Sequence, residues 1–251
     1  MASRPSCLLA LVLALAAFAL PARAADAVGA TAAALRQAAL AADTVSRETV
    51  FIHKLFRPQE PSGRTIILMH GSGGDETTLV SLATRIAPDA TLIGIRGRVV
   101  QNGVKRWYRR VTPTEFDQQD VRAEAAAFAD FLRGMAGELD LDLSTATFLG
   151  YSNGANLIAA MTQLYPGLVR RAVLLRPMPV LAEAAQVDLS QSRFLTIAGQ
   201  NDKLYYPFAP KLEALLRGCG ASVEARVIPS GHAIGEEDAR IVAEWLGSAA
   251  K

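Results

Sequence analysis

Cysteine is nearly missing from this chain, with only Cys7 and Cys219 in 251 residues. That excludes a disulfide-stapled scaffold and leaves stability to a packed core. Charge of one sign is also missing, since 26 basic side chains face 24 acidic ones for a formal net charge of +2. A general nucleic-acid binder should be strongly basic, so that class is excluded. Histidine occurs only three times, and no His/Cys/acid spacing of a metal centre appears. No metal or organic cofactor is therefore expected. What the chain does have is apolar content, 51% hydrophobic against 20% charged, which excludes disorder and suffices for the core of one domain.

The longest apolar run is Leu8 to Leu20, 13 residues. As a helix it would span only about 20 Å of a hydrocarbon core roughly 30 Å thick. Arg4 precedes it and Ala22-Arg23-Ala24 follows. This order of charge, short apolar run and small residues predicts a secretory signal over residues 1–24, cleaved after Ala24, with a secreted or periplasmic product. The alternative is a retained anchor, for which the run is too short; Cys7 precedes the run, which argues against a lipoprotein. Cleavage removes two basic residues, Arg4 and Arg23, and no acidic one, leaving no formal net charge. No stable membrane insertion is expected of the mature chain. Residues 25–46 form an Ala-rich leader, helical or loose, ahead of a domain over 47–251.

From Val50 onward short β-rich runs alternate with helical patterns. Strands are predicted at Val50 to Phe56, Thr65 to Met69, Thr91 to Ile95, Ala146 to Leu149, Ala172 to Leu175, Phe194 to Ala198 and Val223 to Ile228. Helices are predicted at Thr77 to Ile86, Gln118 to Leu139, Gly154 to Tyr165, Pro207 to Leu216 and Glu236 to Leu246. Val121, Ala125, Phe128, Phe131 and Leu132 recur at three- and four-residue steps on one helix face. Ile66 to Met69 and Ala172 to Leu175 are apolar without alternation, as in strands covered by helices on both faces. The fold class is α/β: a mostly parallel sheet with helices on both faces, no large cap domain and one domain in all.

Gly150-Tyr151-Ser152-Asn153-Gly154 joins a predicted strand to a predicted helix. Strand, G-x-S-x-G, helix is the context of a nucleophile elbow, in which glycines let a strand reverse into a helix around an exposed serine. The competing reading is a serine capping an ordinary helix. A serine hydroxyl needs an adjacent base. In a fold of this kind the acid and then the histidine follow the serine. His53 and His70 precede Ser152, which leaves His232, just after the strand Val223 to Ile228. Among the acids between Ser152 and His232, Glu224 lies in a strand, Glu213 on a helix and Asp188 before a strand. Asp202 follows the carboxyl end of Phe194 to Ala198, where α/β sheets build their sites. The catalytic candidates are thus Ser152, Asp202 and His232. The glycine-rich loop His70-Gly71-Ser72-Gly73-Gly74-Asp75 follows another strand, so the oxyanion donors are assigned to the backbone N–H of Ser72 and Asn153. A phosphate-binding loop fails there for want of the G-x-x-x-x-G-K spacing. His70 reads as a structural partner of the loop, and His53 as a surface residue.

These stretches, with Ala155-Asn156, Arg176-Pro177-Met178, Ala198-Gly199 and Gly231-His232, resemble the bacterial phospholipase/carboxylesterase branch of the α/β-hydrolase superfamily. The resemblance runs from about Val50 to Leu246. It implies a compact serine carboxylesterase acting on small-molecule esters through Ser152, Asp202 and His232. A lysophospholipase or acyl-thioesterase with the same triad is the alternative. From another class, the rival is an idle hydrolase fold used for binding. The signal peptide and leader depart from the many cytoplasmic relatives. The pattern specifies no oligomeric state.

Arg96, Arg98, Lys105, Arg106, Arg109 and Arg110 crowd within 15 residues around Trp107 and Tyr108. The cluster reads as a solvated loop whose arginines cover the aromatics. The sharper alternative is a loop that holds an anionic substrate group or a membrane surface. Trp107, Tyr108, Met178 and Leu204, with Tyr205 and Tyr206, sit in loops after strands and are the candidates for a substrate pocket.

Overall fold

The computed structural model describes residues 44–248. The predicted signal and residues 25–43 of the leader lie outside them. The leader boundary moves, because Val45 and Ser46 belong to a strand, β1 (Val45–Arg47), that pairs antiparallel with β5 (Val99–Gln101). The folded domain thus takes in Val45 and Ser46, which the sequence assigned to the leader.

Seven strands form the main sheet: β2 (His53–Phe56), β3 (Thr65–Met69), β4 (Thr91–Ile95), β9 (Thr147–Tyr151), β10 (Arg171–Leu175), β11 (Arg193–Gly199) and β12 (Ser222–Ile228), in the order β12-β11-β10-β9-β3-β4-β2. All neighbours are parallel except the edge pair β2 and β4. Successive residues of the central strands feed opposite layers. Ile67, Met69, Phe148 and Leu174 pack with Val121, Phe128 and Leu132 of α2 (Gln118–Leu139) and with Leu157, Ile158 and Met161 of α3 (Asn153–Leu164). Leucine 212 and Leu216 of α4 (Ala209–Gly218) complete that layer. Ile66, Leu68, Val173 and Ile197 pack with Leu82 of α1 (Val80–Ile86) and with Val242 and Trp245 of α5 (Glu236–Gly247). Two buried faces explain the unbroken apolar runs.

The direction of the sheet order reverses at β3 and β9. From β3 the chain steps outward to β4 and returns across β3 to lay down β9. Such a switch point opens a crevice at the carboxyl ends of adjacent strands. Two loops meet there, the glycine-rich loop after β3 and the elbow after β9.

The arginine-rich segment is not a solvated loop. It folds into β5, β6 (Val104–Arg106), β7 (Arg110–Thr112) and β8 (Glu115–Phe116), in a three-stranded and a two-stranded sheet. Its aromatics point inward, with Trp107 and Tyr108 both 0% exposed. Trp107 stacks against Phe51, meets Phe128 edge-on and donates its indole N–H to the His70 carbonyl at 2.9 Å. Three of the segment's cations meet carboxylates: Arg96 with Glu76 at 2.7 Å, Arg98 with Glu124 at 2.8 Å and Arg109 with Asp117 at 3.9 Å.

Candidate active site

Ser152 stands between β9 and α3 with φ +49° and ψ −113°. A non-glycine residue there carries strain of about 1–3 kcal/mol, which persists only where the surroundings enforce it. Here they do. A Cβ on Gly154 would lie 2.3 Å from the Met69 carbonyl oxygen, and one on Gly150 would lie 2.5 Å from Ile158 Cδ1 and 2.7 Å from the Ala155 backbone. The Ser152 N–H donates to the Leu175 carbonyl at 2.8 Å, and its own carbonyl accepts from Asn156 N–H to start the helix.

The Ser152 hydroxyl lies 2.9 Å from His232 Nε2, and His232 Nδ1 lies 2.5 Å from an Asp202 carboxylate oxygen. The two bonds span three separate loops, after β9, β11 and β12. Asp202 is buried and its loop is pressed onto the histidine loop: Gln200 and Asn201 donate their N–H to the carbonyls of Ile228 and Ser230. A Cβ on Gly199 would meet the Gly231 carbonyl oxygen at 2.3 Å, so the approach requires glycine. Asp188, set aside on sequence, lies in the loop ahead of β11 and engages Ser190 N–H at 2.8 Å.

The histidine loop is held at three successive carbonyls. Arg176 donates from Nε to Gly231 and from Nη2 to Ala233, each at 3.0 Å, and the Tyr151 hydroxyl donates to His232 at 3.2 Å. Arg176 itself is buried with φ +55° and makes a two-pronged ion pair with Asp238 at 2.7 and 2.9 Å. The rings of Tyr205 and Tyr151 flank the imidazole with centroids at 4.9 and 5.4 Å. Sequence reasoning noticed Arg176 only as part of a tripeptide; a cation directly after an apolar strand, answered by Asp238 in the first turn of α5, was the available signal.

Ser72 and Asn153, whose N–H groups are the expected oxyanion donors, border the same groove as Ser152. Asn153 opens α3, where first-turn N–H groups have no intrahelical partner. Ser72 lies in the loop after β3, which is locked by the Gly73 N–H bond to Lys105 and by His70. His70 uses both ring nitrogens, Nδ1 at 2.6 Å from the Gly71 carbonyl and Nε2 accepting from Gly97 N–H at 3.0 Å. Burial pushes its pKa below the ordinary 6.5, so the ring is neutral and structural. Next to it, Thr77 hydrogen bonds hold the Asp75 carboxyl at about 2, and the Arg96 guanidinium holds Glu76 at about 2.

The substrate-pocket expectation is corrected at three positions. Trp107 and Tyr108 belong to the core, where burial also pushes up the Tyr108 phenol, and Leu204 is 48% exposed outside the groove beside Ser152. Met178 does border that groove, with Ser72, Arg106, Phe116, Asn153 and Tyr205. The groove is small. Two asparagine amides that the sequence left unassigned shape it. Asn153 Oδ1 accepts from Trp107 N–H and Asn156 Oδ1 accepts from Met178 N–H, both at 2.8 Å, tying one loop from each side to the elbow. A larger cavity of about 730 Å³ lies at the opposite end of the sheet, near Thr65, Thr147 and Arg171, and no acid, histidine, serine or cysteine lines it. Among the described residues no cluster of His, Cys, Asp and Glu is arranged to hold a metal ion, and no helix is long and apolar enough to cross a membrane.

No protein-family model matches the chain. The protein MhqD of Bacillus subtilis (strain 168) is 31% identical over 189 residues, 75% of this chain and 94% of its own length. The crystal structure of a carboxylesterase from Mesorhizobium loti is 51% identical with a TM-score of 0.76, covering 81% of this chain and 98% of that one. The carboxylesterase of Bacillus cereus is 28% identical with a TM-score of 0.76, covering 80% and 96%. With an elbow serine, a histidine and an acid at the carboxyl ends of a doubly covered sheet, and relatives matched over nearly their whole length, the chain belongs to the phospholipase/carboxylesterase branch of the α/β-hydrolases.

Proposed function

We propose that the protein is a serine carboxylesterase that hydrolyses small carboxylic esters through an acyl-enzyme on Ser152. The observation that carries this reading is the unbroken hydrogen-bonded line from Ser152 through His232 to Asp202, at 2.9 and 2.5 Å. The Ser152 oxygen attacks the ester carbonyl carbon while its proton passes to His232 Nε2. Charge then develops on the carbonyl oxygen, and the N–H groups of Ser72 and Asn153 stabilise it. The C–O bond to the alcohol breaks, and the departing oxygen takes the proton from His232. Water repeats the sequence on the acyl-enzyme, releasing the acid and restoring the serine. Asp202 keeps the Nδ1 proton in place and stabilises the imidazolium.

The small groove favours short acyl chains over the long ones of a lysophospholipase or thioesterase. An idle binding fold would have no reason to maintain the strained Ser152 backbone together with both triad hydrogen bonds. The basic n-region, the 13-residue apolar run and Ala22-Arg23-Ala24 support export of the mature enzyme. Hydrolysis of p-nitrophenyl esters of increasing acyl length, with Ser152→Ala as control, tests the proposal. Turnover should peak at short chains and fall by several orders of magnitude in the variant. Retention of a tenth of wild-type activity by Ser152→Ala would remove the nucleophile assignment, since tenfold is only about 1.4 kcal/mol of barrier.

A further inference from the structure

The groove beside Ser152 is lined by three arginines, Arg106, Arg110 and Arg176, and by no carboxylate among its described lining residues. Their environments differ. Arg176 is neutralised by Asp238 and also donates to the histidine loop and to the Ile197 carbonyl. Arg106 is 6% exposed and donates from Nη1 to the Ser72 hydroxyl at 2.8 Å. That bond puts its guanidinium beside the residue whose N–H is assigned to the oxyanion. Arg110 is half-buried and borders the groove, and among the described residues no carboxylate lies within ion-pair distance of it.

Arg110 is also fixed in place. The Gln101 side chain brackets its backbone, with Nε2 donating to the Arg110 carbonyl at 2.7 Å and Oε1 accepting the Arg110 N–H at 3.0 Å. Asp120 accepts the N–H of Arg109 at 2.6 Å, and Asn153 accepts that of Trp107. The whole stretch from Arg106 to Arg110 is thus tied to α2 on one side and to the serine elbow on the other. A backbone held in place before binding leaves only side-chain freedom to be lost on binding, and a planar guanidinium matches a carboxylate with two parallel N–H bonds.

We propose that this groove selects esters that carry a carboxylate close to the scissile bond, and that Arg106 and Arg110 hold that carboxylate. The proposal rests on the esterase reading of Ser152 and names its substrate class. With the ester carbonyl at the Ser72 and Asn153 N–H groups, the carboxylate lies toward Ser72 and the arginines. Short chains between the two groups fit the small groove, as in monoesters of short dicarboxylic acids or esters of short hydroxy acids.

Steady-state hydrolysis of three substrates tests this: ethyl butyrate as the neutral reference, monoethyl succinate with its carboxylate on the acyl side, and O-butyryl glycolate with it on the alcohol side. Wild-type kcat/KM should favour at least one anionic ester over ethyl butyrate by tenfold or more, and whichever it is identifies the side. The Arg110→Gln variant should reduce that preference at least tenfold, through KM, since a charge-assisted contact made before and during reaction contributes to binding. Raising salt from 0.1 M to 1 M should erode the wild-type preference in the same direction, because the screening length falls from about 10 Å to about 3 Å. Free succinate should inhibit wild-type hydrolysis of ethyl butyrate competitively and lose potency in the same salt, so a variant that fails to fold does not end the test. A wild-type enzyme that cleaves ethyl butyrate with no anionic preference and no succinate inhibition overturns the proposal and leaves the esterase reading in place. Failure to cleave any of the three overturns the esterase reading itself.

Discussion

Asp238→Asn removes one charge from the pair that anchors the histidine loop. Asp238 is completely buried; it accepts two bonds from Arg176 at 2.7 and 2.9 Å, and a third from Gly235 N–H at 2.8 Å that caps α5. Asparagine keeps the shape but leaves the Arg176 guanidinium buried without its counter-charge. Breaking one side of such a pair costs about 3–5 kcal/mol. For a domain of this size each kcal/mol lowers the melting temperature by about 2–4 °C, so the loss should be at least about 6 °C. Differential scanning calorimetry of the purified variant measures it. Well below the transition, kcat for a neutral ester should also fall while KM changes little, because Arg176 no longer presents its donors to the Gly231 and Ala233 carbonyls in one fixed geometry. A melting temperature within about 2 °C of wild type, with kcat unchanged, would refute the claim that the Arg176 to Asp238 pair positions His232.

Asp202→Asn should lower kcat by orders of magnitude, because the neutral amide no longer fixes the imidazole tautomer, whereas Asp188→Asn should lose only a turn contact and keep its activity; esterase assays on both variants separate the two acids. Stability should fall as pH drops below about 6.5. His70 is held neutral by burial in the folded chain, so its contribution is complete above the ordinary value of 6.5 and is lost as pH falls below it. Asp75 and Glu76, both held at about 2, add a second loss as pH falls through their ordinary values of 3.8 and 4.5 toward 2. Urea midpoints across pH 3 to 8 test this, and a midpoint constant between pH 7 and 5 in wild type would contradict the role given to His70.

The fold was legible where burial is two-sided. The strands Thr65–Met69 and Thr91–Ile95 and the helix Gln118–Leu139 fall where the apolar patterns put them. Helix starts were less legible: α1 begins at Val80 after a run of turns from Glu76, and the helix expected from Pro207 opens with a 3₁₀ turn at Tyr206–Phe208 before α4. The four short strands between Val99 and Phe116 left no periodic signal, being two or three residues long. That blind spot produced the misplacement of Trp107 and Tyr108. The burial of Trp107 is set by partners remote in sequence, His70 and Phe51, and that of Tyr108 by Phe116 across the β7–β8 hairpin. The arginines looked solvated for the same reason, since Glu76, Glu124 and Asp117, which neutralise three of them, lie on other elements. Motif and chain order picked out Ser152, Asp202 and His232, three side chains that the structure brings within hydrogen-bond distance of one another; the clamp by Arg176 and the amide ties of Asn153 and Asn156 depend on loops meeting in space.

The central claim is that Ser152 is the activated nucleophile. Incubating the folded wild-type protein with a fluorophosphonate and mapping the adduct by peptide mass spectrometry tests it directly. The account predicts one adduct, on the peptide carrying Ser152, formed in step with loss of esterase activity, and none after thermal unfolding disperses the triad. Labelling at Ser72 or another residue, or full inactivation without modification of Ser152, would contradict it.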